Sequence, residues 1–215
     1  MPTRGRFFAF EGIDGVGKTT QRVRFVAWLQ SLGRDVVTCQ DPGGTALGEK
    51  LRDLLLHTQE TPIAPRAEML LYLASRAQLV HEVIAPALNA GQVVVSDRFH
   101  LSTLAYQVYA RGLDVEATRP VGLFATGTCL PDLVFLLDMD AAEAARRRHR
   151  PADRIEARGL EYLRAVRDGF LAEAEIDPQR VVVIDASGDE ETVARSVRQA
   201  AMRIIEADRE KGMPQ

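Results

Sequence analysis

The sequence predicts an α/β protein: one parallel sheet of five strands in a three-layer arrangement, flanked by helices on both faces. Two observations lead there. Short runs that are almost wholly apolar alternate with longer stretches of helical periodicity, and such runs suit strands buried on both sides rather than on one. A glycine-rich turn then joins the first run to the first helical stretch.

"RFFAFEG" supplies the first strand, and Phe25, Trp28, Leu29 and Leu32 keep the spacing of one face of the helix that follows, closed by Gly33. "DVVTCQ" is the second strand. A long helical stretch runs from Pro65 to Asn89, with Pro86 near its end and "NAG" as its stop. "QVVVSD", "DLVFLLD" and "RVVVIDA" give strands three to five, and Val193, Val197, Ala200, Ala201, Ile204 and Ile205 mark the apolar face of a last helix. The 215 residues are expected to form a single domain, 1–215, without repeats or linker-like segments.

A net charge of −3 gives no basic field for a nucleic-acid polymer or a membrane surface, so phosphate recognition has to be local. The start, "MPTRGRFFAFEG", carries no long apolar segment or cleavage signal, which predicts a cytoplasmic protein. Cys39 and Cys129 lack metal-ligand spacing and read as small buried apolar residues. Of 27 basic residues only Lys18, Lys50 and Lys211 are lysine, so arginine is the default cation and a lysine at a special position carries more weight.

Lys18 occupies such a position. "FEGIDGVGKTT" satisfies G-x-x-x-x-G-K-[ST] with Gly12, Gly17, Lys18 and Thr19, at the strand-to-helix junction where that pattern works. A polyphosphate wrapped by backbone N–H groups tolerates no obstructing side chains and needs positive φ at the turns. The loop Gly12, Ile13, Asp14, Gly15, Val16, Gly17 with Lys18, Thr19 and Thr20 is therefore the expected nucleoside triphosphate cradle, in the P-loop NTPase manner. The Thr19 hydroxyl and Asp97, at the end of the third strand, are the expected magnesium residues.

No guanine-reading Asn-Lys-x-Asp is present, so a GTPase is not indicated. "RRRHRPADRIEARG", residues 146–159, concentrates arginine before a proline break. Transfer between two phosphates brings two polyanions together and needs cations there, which a closing lid at about 146–158 would supply. A solvated helix end is the alternative reading of the run.

In order, "FEGIDGVGKTT", "DPGGT", "LRDLLL", "AEMLLYLASRAQLV", "SDRFHLSTLAYQ", "ARGL", "PDLVFLLD", "DRIE" and "VIDA" resemble the thymidylate kinase family over nearly the whole chain. The resemblance implies phosphorylation of dTMP to dTDP with ATP and magnesium, a nucleoside monophosphate kinase fold and a homodimer. It resembles the bacterial class, in which the catalytic arginine comes from the lid, here Arg147 first, with Arg146, Arg148 and Arg150 beside it. It further implies that Asp14 and Arg98 clamp the dTMP phosphate with help from Arg52. Tyr72 is expected to stack on thymine, and Arg76, Thr103 and Gln107 to bond its edge. Tyr106 would exclude a ribose 2′-hydroxyl, Asp153, Arg154 and Glu156 would close onto the acceptor, and Asp185 and Ala186 would cover adenine. Asp41 stands where the family usually has glutamate, Phe99 and His100 where other residues are usual, and Ala165 where arginine is common. Two other readings are a P-loop kinase for a different monophosphate and a regulatory nucleotide-binding protein of low turnover.

Overall fold

A computed structural model describes residues 4–58, 61–127, 129–147 and 154–210, with only the backbone of residues 156 and 207–210. Five strands form one all-parallel sheet in the order β2-β3-β1-β4-β5: β1 Phe7–Glu11, β2 Val36–Gln40, β3 Val93–Asp97, β4 Leu133–Asp138 and β5 Val181–Asp185. The strand expectations are met in number, order of sequence and type. Burial is less uniform than expected. β1 is buried throughout, whereas the two edge strands are only partly covered, and Val183 of β5 is exposed. An edge strand lacks a neighbour on one side, so apolar character alone does not bury it.

The alternation of side chains along β1 builds both layers. Phe8 and Phe10 meet Phe25 of α1 (Lys18–Ser31) and Phe135 of β4, with Phe25–Phe135 centroids 5.0 Å apart and rings at 71°. Phe7 points the other way, onto Phe99, at 4.9 Å and 79°. Phe99 immediately precedes α5 (His100–Thr103), so this edge-on pair seats the segment after β3 against the sheet. α9 (Glu190–Glu210) packs on α1 and β5, and α8 (Leu160–Ile176) packs on β4, β5 and the turn that continues α5.

The stretch Pro65–Asn89 is helical as expected but not uniform. α3 (Pro65–Leu79) passes through a π-helical turn, Val80–Ile84, into α4 (Ala85–Asn89). Pro86 cannot donate to the carbonyl four residues back and its ring would crowd it, so the ladder widens before the proline. A second π-helical turn, Leu104–Tyr109, continues α5 and presents Tyr106 and Gln107. No proline marks it in the sequence.

The remaining helices are α2 (Ala46–Leu56), α6 (Val115–Thr126) and α7 (Ala141–Arg147). Cys39 and Cys129 are free and buried, as expected, and burial pushes the Cys39 thiol up to about 12. His100 packs against α6 so closely that a Cβ at Gly122 would lie 2.6 Å from its Cε1.

Burial first, then the charges of Arg76 and Arg119, depress the His100 pKa to about 3. Between that value and the ordinary 6.5 the unfolded chain takes a proton that the folded one refuses. The resulting stability is complete above pH 6.5 and falls as the pH drops towards 3. Urea unfolding from pH 7 to pH 5 should therefore cost the wild type roughly 1–2 kcal/mol more than the His100→Asn variant. Parallel pH profiles would refute the assignment.

Candidate active site

The loop after β1 owes its path to glycine. At Gly15 (φ 96°) a Cβ would lie 2.0 Å from the carbonyl oxygen of Ala144, so the loop can lie on α7 only without a side chain there. Gly17 (φ 91°) caps α1 without a side-chain hydrogen bond, and a Cβ there would meet nothing within 4 Å. Open space thus lies beside Gly17 at the start of α1, where helix amides lack intrahelical partners and the dipole is positive. The Lys18 ammonium curls over the loop, donating to the carbonyls of Gly12 at 3.0 Å and Ile13 at 2.9 Å and to Asp14 Oδ1 at 3.2 Å. Lys18, Thr19, Thr20, Asp97 and Arg147 line one cleft of about 1410 Å³.

A second cleft, of about 580 Å³, opens beside it and is lined by Tyr72, Arg76, Thr103, Tyr106, Gln107 and Ile155 among others. Asp14, Asp41, Arg52 and Arg98 belong to both clefts. Arg98 lies at the centre of the junction. Its Nη2 donates to Asp14 Oδ1 at 2.8 Å and its Nη1 to the Gly12 carbonyl at 3.0 Å, while its guanidinium lies 5.0 Å above the Tyr106 ring.

That placement requires a left-handed backbone, φ 64°, the one positive φ among the described non-glycine residues. The surroundings hold it. Arg98 N donates to the Phe10 carbonyl at 2.9 Å, and Ser96 Oγ donates to the Arg98 carbonyl at 2.7 Å. The fully buried Glu11 accepts from Phe99 N at 2.8 Å, Ser102 N at 3.2 Å and Ser102 Oγ at 2.6 Å, pinning the turn after Arg98.

Burial pushes the Glu11 carboxyl above its ordinary value, although Arg98 and the hydrogen bonds oppose it. Burial also acts to raise Asp14, but Arg98 and then Lys18 reverse this and hold its carboxyl well below the usual carboxylate range. Arg98 in turn is driven upward by Asp14 against its own burial. The junction therefore offers a permanent cation with a permanent anion orienting it.

At the far end of the second cleft, α3 carries Glu68, Tyr72 and Arg76, one helical turn apart. Buried Arg76 donates through Nε to Asp41 Oδ2 and through Nη1 to Thr103 Oγ1 at 2.8 Å, and its guanidinium lies 5.4 Å from the Phe99 ring centre. Asp41 thereby holds Arg76 in place, a role that its shorter side chain serves by direct contact. Arg52 reaches the Pro42 carbonyl at 2.8 Å from α2.

At the end of α7, Arg147 donates to the carbonyls of Ala186 at 3.2 Å and Ser187 at 3.1 Å and to Glu143 Oε1 at 2.6 Å. It thus ties the end of α7 to the loop after β5. That loop is shaped by Asp185 Oδ1, which accepts from Ser187 N at 2.9 Å, and by Ala186 N, which donates to the Asp138 carbonyl at 2.8 Å. Arg146 is exposed. Arg154 donates through Nε to the Leu55 carbonyl at 2.7 Å and through Nη2 to Glu68 Oε2 at 2.9 Å, which anchors the segment to α2 and α3.

The thymidylate kinase family profile matches residues 10–197. The chain belongs to the thymidylate kinase family. Among relatives called thymidylate kinase, that of Pelotomaculum thermopropionicum is 46% identical over 207 residues, 95% of this chain and 96% of that protein. That of Synechococcus sp. strain JA-3-3Ab is 50% identical over 191 residues, 89% of this chain and 92% of its own length. The crystal structure of thymidylate kinase from Ehrlichia chaffeensis superposes with a TM-score of 0.74 at 31% identity, covering 91% of this chain and 98% of that one. The chain is an enzyme, a dTMP kinase drawing on a nucleotide phosphoryl donor.

The glycine loop lines the first cleft and α3 the second. Of the residues expected around dTMP, Asp14, Arg52, Tyr72, Arg76, Arg98, Thr103, Tyr106 and Gln107 line the second cleft together. Arg148, Arg150 and Asp153 lie outside the described residues, as does the side chain of Glu156, whose backbone opens a 3-10 turn, Glu156–Arg158. Sequence reasoning missed Glu11, Glu68 and Arg158. Glu68 had a signal, its four-residue spacing ahead of Tyr72. Glu11 had a weaker one, an acid closing an apolar strand.

Proposed function

We propose that this thymidylate kinase passes the γ-phosphoryl group of ATP, with magnesium, in line to the 5′-phosphate of dTMP. The observation that carries the reading is the Asp14–Arg98 pair, which belongs at once to the loop cleft and to the α3 cleft. A monophosphate with a second pKa near 6 is already an ionised nucleophile at neutral pH, so no general base is needed. The difficulty is bringing two anions into contact.

Lys18 and the amides opening α1 hold the donor phosphates. Arg98 turns the acceptor phosphate towards them, and Arg52 reaches the same junction. Arg147, with Arg146, Arg148 and Arg150 in a lid over about 146–158, neutralises charge developing between the phosphates. Tyr72 stacks on thymine, and the remaining N–H groups of Arg76 donate to its edge.

Thr19 and Asp97 offer two hard oxygen donors in one cleft, which suits magnesium. Among the described residues no group of three His, Cys, Asp or Glu could hold a metal, so phosphates and water would complete its shell. Magnesium, when bound, lowers the charge that the β- and γ-phosphates present to an attacking anion.

The experiment is ADP release with dTMP, dUMP, UMP, AMP or no acceptor. The reading requires dTMP to give the highest kcat/KM. Preference for another monophosphate would favour a different kinase of this fold, and no turnover with any acceptor would favour a regulatory binder.

Residues 1–215 act in this reading as one domain, in the cytoplasm; no helix among the described residues is long and apolar enough to cross a membrane. The assembly we propose is a homodimer. α2 packs on α3 and α3 on α6, and this layer exposes Leu47, Leu70, Val121 and Phe124, the last 89% exposed. Light scattering should give about twice 23.7 kDa, falling towards 23.7 kDa in the Phe124→Asp variant; a wild-type monomer would refute it.

A further inference from the structure

Glu68 is a buried acid in the first turn of α3 that the phosphoryl-transfer scheme leaves unused. Its Oε2 accepts from Arg154 Nη2 at 2.9 Å and Arg158 Nη2 at 2.6 Å. Its Oε1 accepts from Gln107 Nε2 at 3.3 Å and Arg158 Nη1 at 3.4 Å. Arg158 also lies 5.0 Å over the Tyr162 ring and donates to Tyr162 Oη at 2.9 Å, which in turn donates to the Tyr106 carbonyl at 3.2 Å. Glu68 is therefore joined by two routes to the π-helical turn that presents Tyr106 and Gln107, and by two arginines to the segment that follows the lid.

Burial alone would raise the Glu68 carboxyl, but the hydrogen bonds from Arg158 lead the groups that hold it below its ordinary value. It is an acceptor only. An amide beside an ionised carboxylate must turn its NH₂ towards it, so Gln107 keeps its Oε1 for the other side. Gln107 lines the dTMP cleft. An acceptor there suits thymine, whose N3 carries a hydrogen, and opposes cytosine, whose N3 is itself an acceptor.

We infer that Glu68 is a positioning residue that fixes the orientation of the Gln107 amide, and so the choice of pyrimidine, while anchoring the Arg154–Arg158 segment over the same cleft. The inference rests on dTMP occupying that cleft. Glutamine at position 68 keeps the size of the side chain but gives it a donor as well as an acceptor. Gln107 then loses its reason to prefer one orientation.

The test is steady-state kinetics with dTMP and dCMP at saturating ATP for the wild type, Glu68→Gln and Arg158→Leu. For Glu68→Gln, kcat/KM for dTMP should fall roughly 10- to 100-fold, mostly through KM, with ATP KM unchanged. The preference for dTMP over dCMP should narrow by about tenfold or more. Arg158→Leu should lower kcat yet keep the preference, because Gln107 still faces a carboxylate. If Glu68→Gln does not fold, the Glu68→Gln/Arg158→Leu double variant removes the charge together with one partner, and its preference should narrow as much.

Equal losses for dTMP and dCMP, with the ratio intact, would reduce Glu68 to a structural support and overturn the inference. A wild type without preference for dTMP would instead overturn the assignment of the cleft itself.

Discussion

Replacing Arg98 by alanine should lower kcat/KM for dTMP by roughly 10³-fold while changing ATP affinity by less than about threefold, as measured by initial rates and by titration with ATP alone. Two losses combine. The guanidinium that draws in the acceptor phosphate disappears, and Asp14, which Arg98 meets at 2.8 Å, keeps only Lys18 as a cationic partner at the place where a phosphate must come. Arg98→Lys should recover only part of the activity, since an ammonium cannot bridge Asp14 and the Gly12 carbonyl as the planar fork does. Equal loss of ATP and dTMP binding in Arg98→Ala would contradict its place on the acceptor side.

Lys18→Ala should cost a comparable factor, roughly 10³-fold, but in kcat, with KM for dTMP nearly unchanged. Lys18 and Arg98 share Asp14 Oδ1 as a partner. Their effects are therefore not independent, and the double variant should lose less than the product of the single losses. Burial and the neighbouring Arg98 charge both pull the Lys18 ammonium below its ordinary value, with Asp14 and Asp97 opposing them. A Lys18→Ala enzyme whose dTMP KM rose as much as its kcat fell would mean that Lys18 serves the acceptor as well.

Much of the site was legible because it is local in sequence. The glycine loop, Lys18 and Thr19 occupy adjacent positions at a junction that the apolar run before them already defines. Tyr72 and Arg76 are one helical turn apart, and Arg98, Thr103, Tyr106 and Gln107 fall within ten residues. The five strands were legible because a buried parallel strand has little room for polar residues. Their uneven burial was not, since edge and centre are decided by the order of strands.

The hidden residues are those whose meaning lies in distant partners. Glu11 meets Phe99 and Ser102 across 88 and 91 positions, and Glu68 meets Arg154 and Arg158 across 86 and 90. The local signals, Glu68 four residues ahead of Tyr72 and Glu11 closing an apolar strand, do not name the partners, and a buried carboxylate is costly without them. The π-helical turn Leu104–Tyr109 is equally silent, because Leu104 to Val108 are all buried and leave no one-sided apolar period for a widened turn to shift. The Asp41 departure acquires its sense only from Arg76, thirty-five positions away.

The most direct test of two phosphates meeting at Arg98 is a crystal structure with dTMP and a non-hydrolysable ATP analogue bound together. The account predicts thymine on Tyr72, the dTMP phosphate within hydrogen-bond distance of Arg98, and the γ-phosphate of the analogue facing it from the glycine loop. A dTMP phosphate lying away from Arg98, or a nucleotide bound outside the Lys18 cleft, would contradict it.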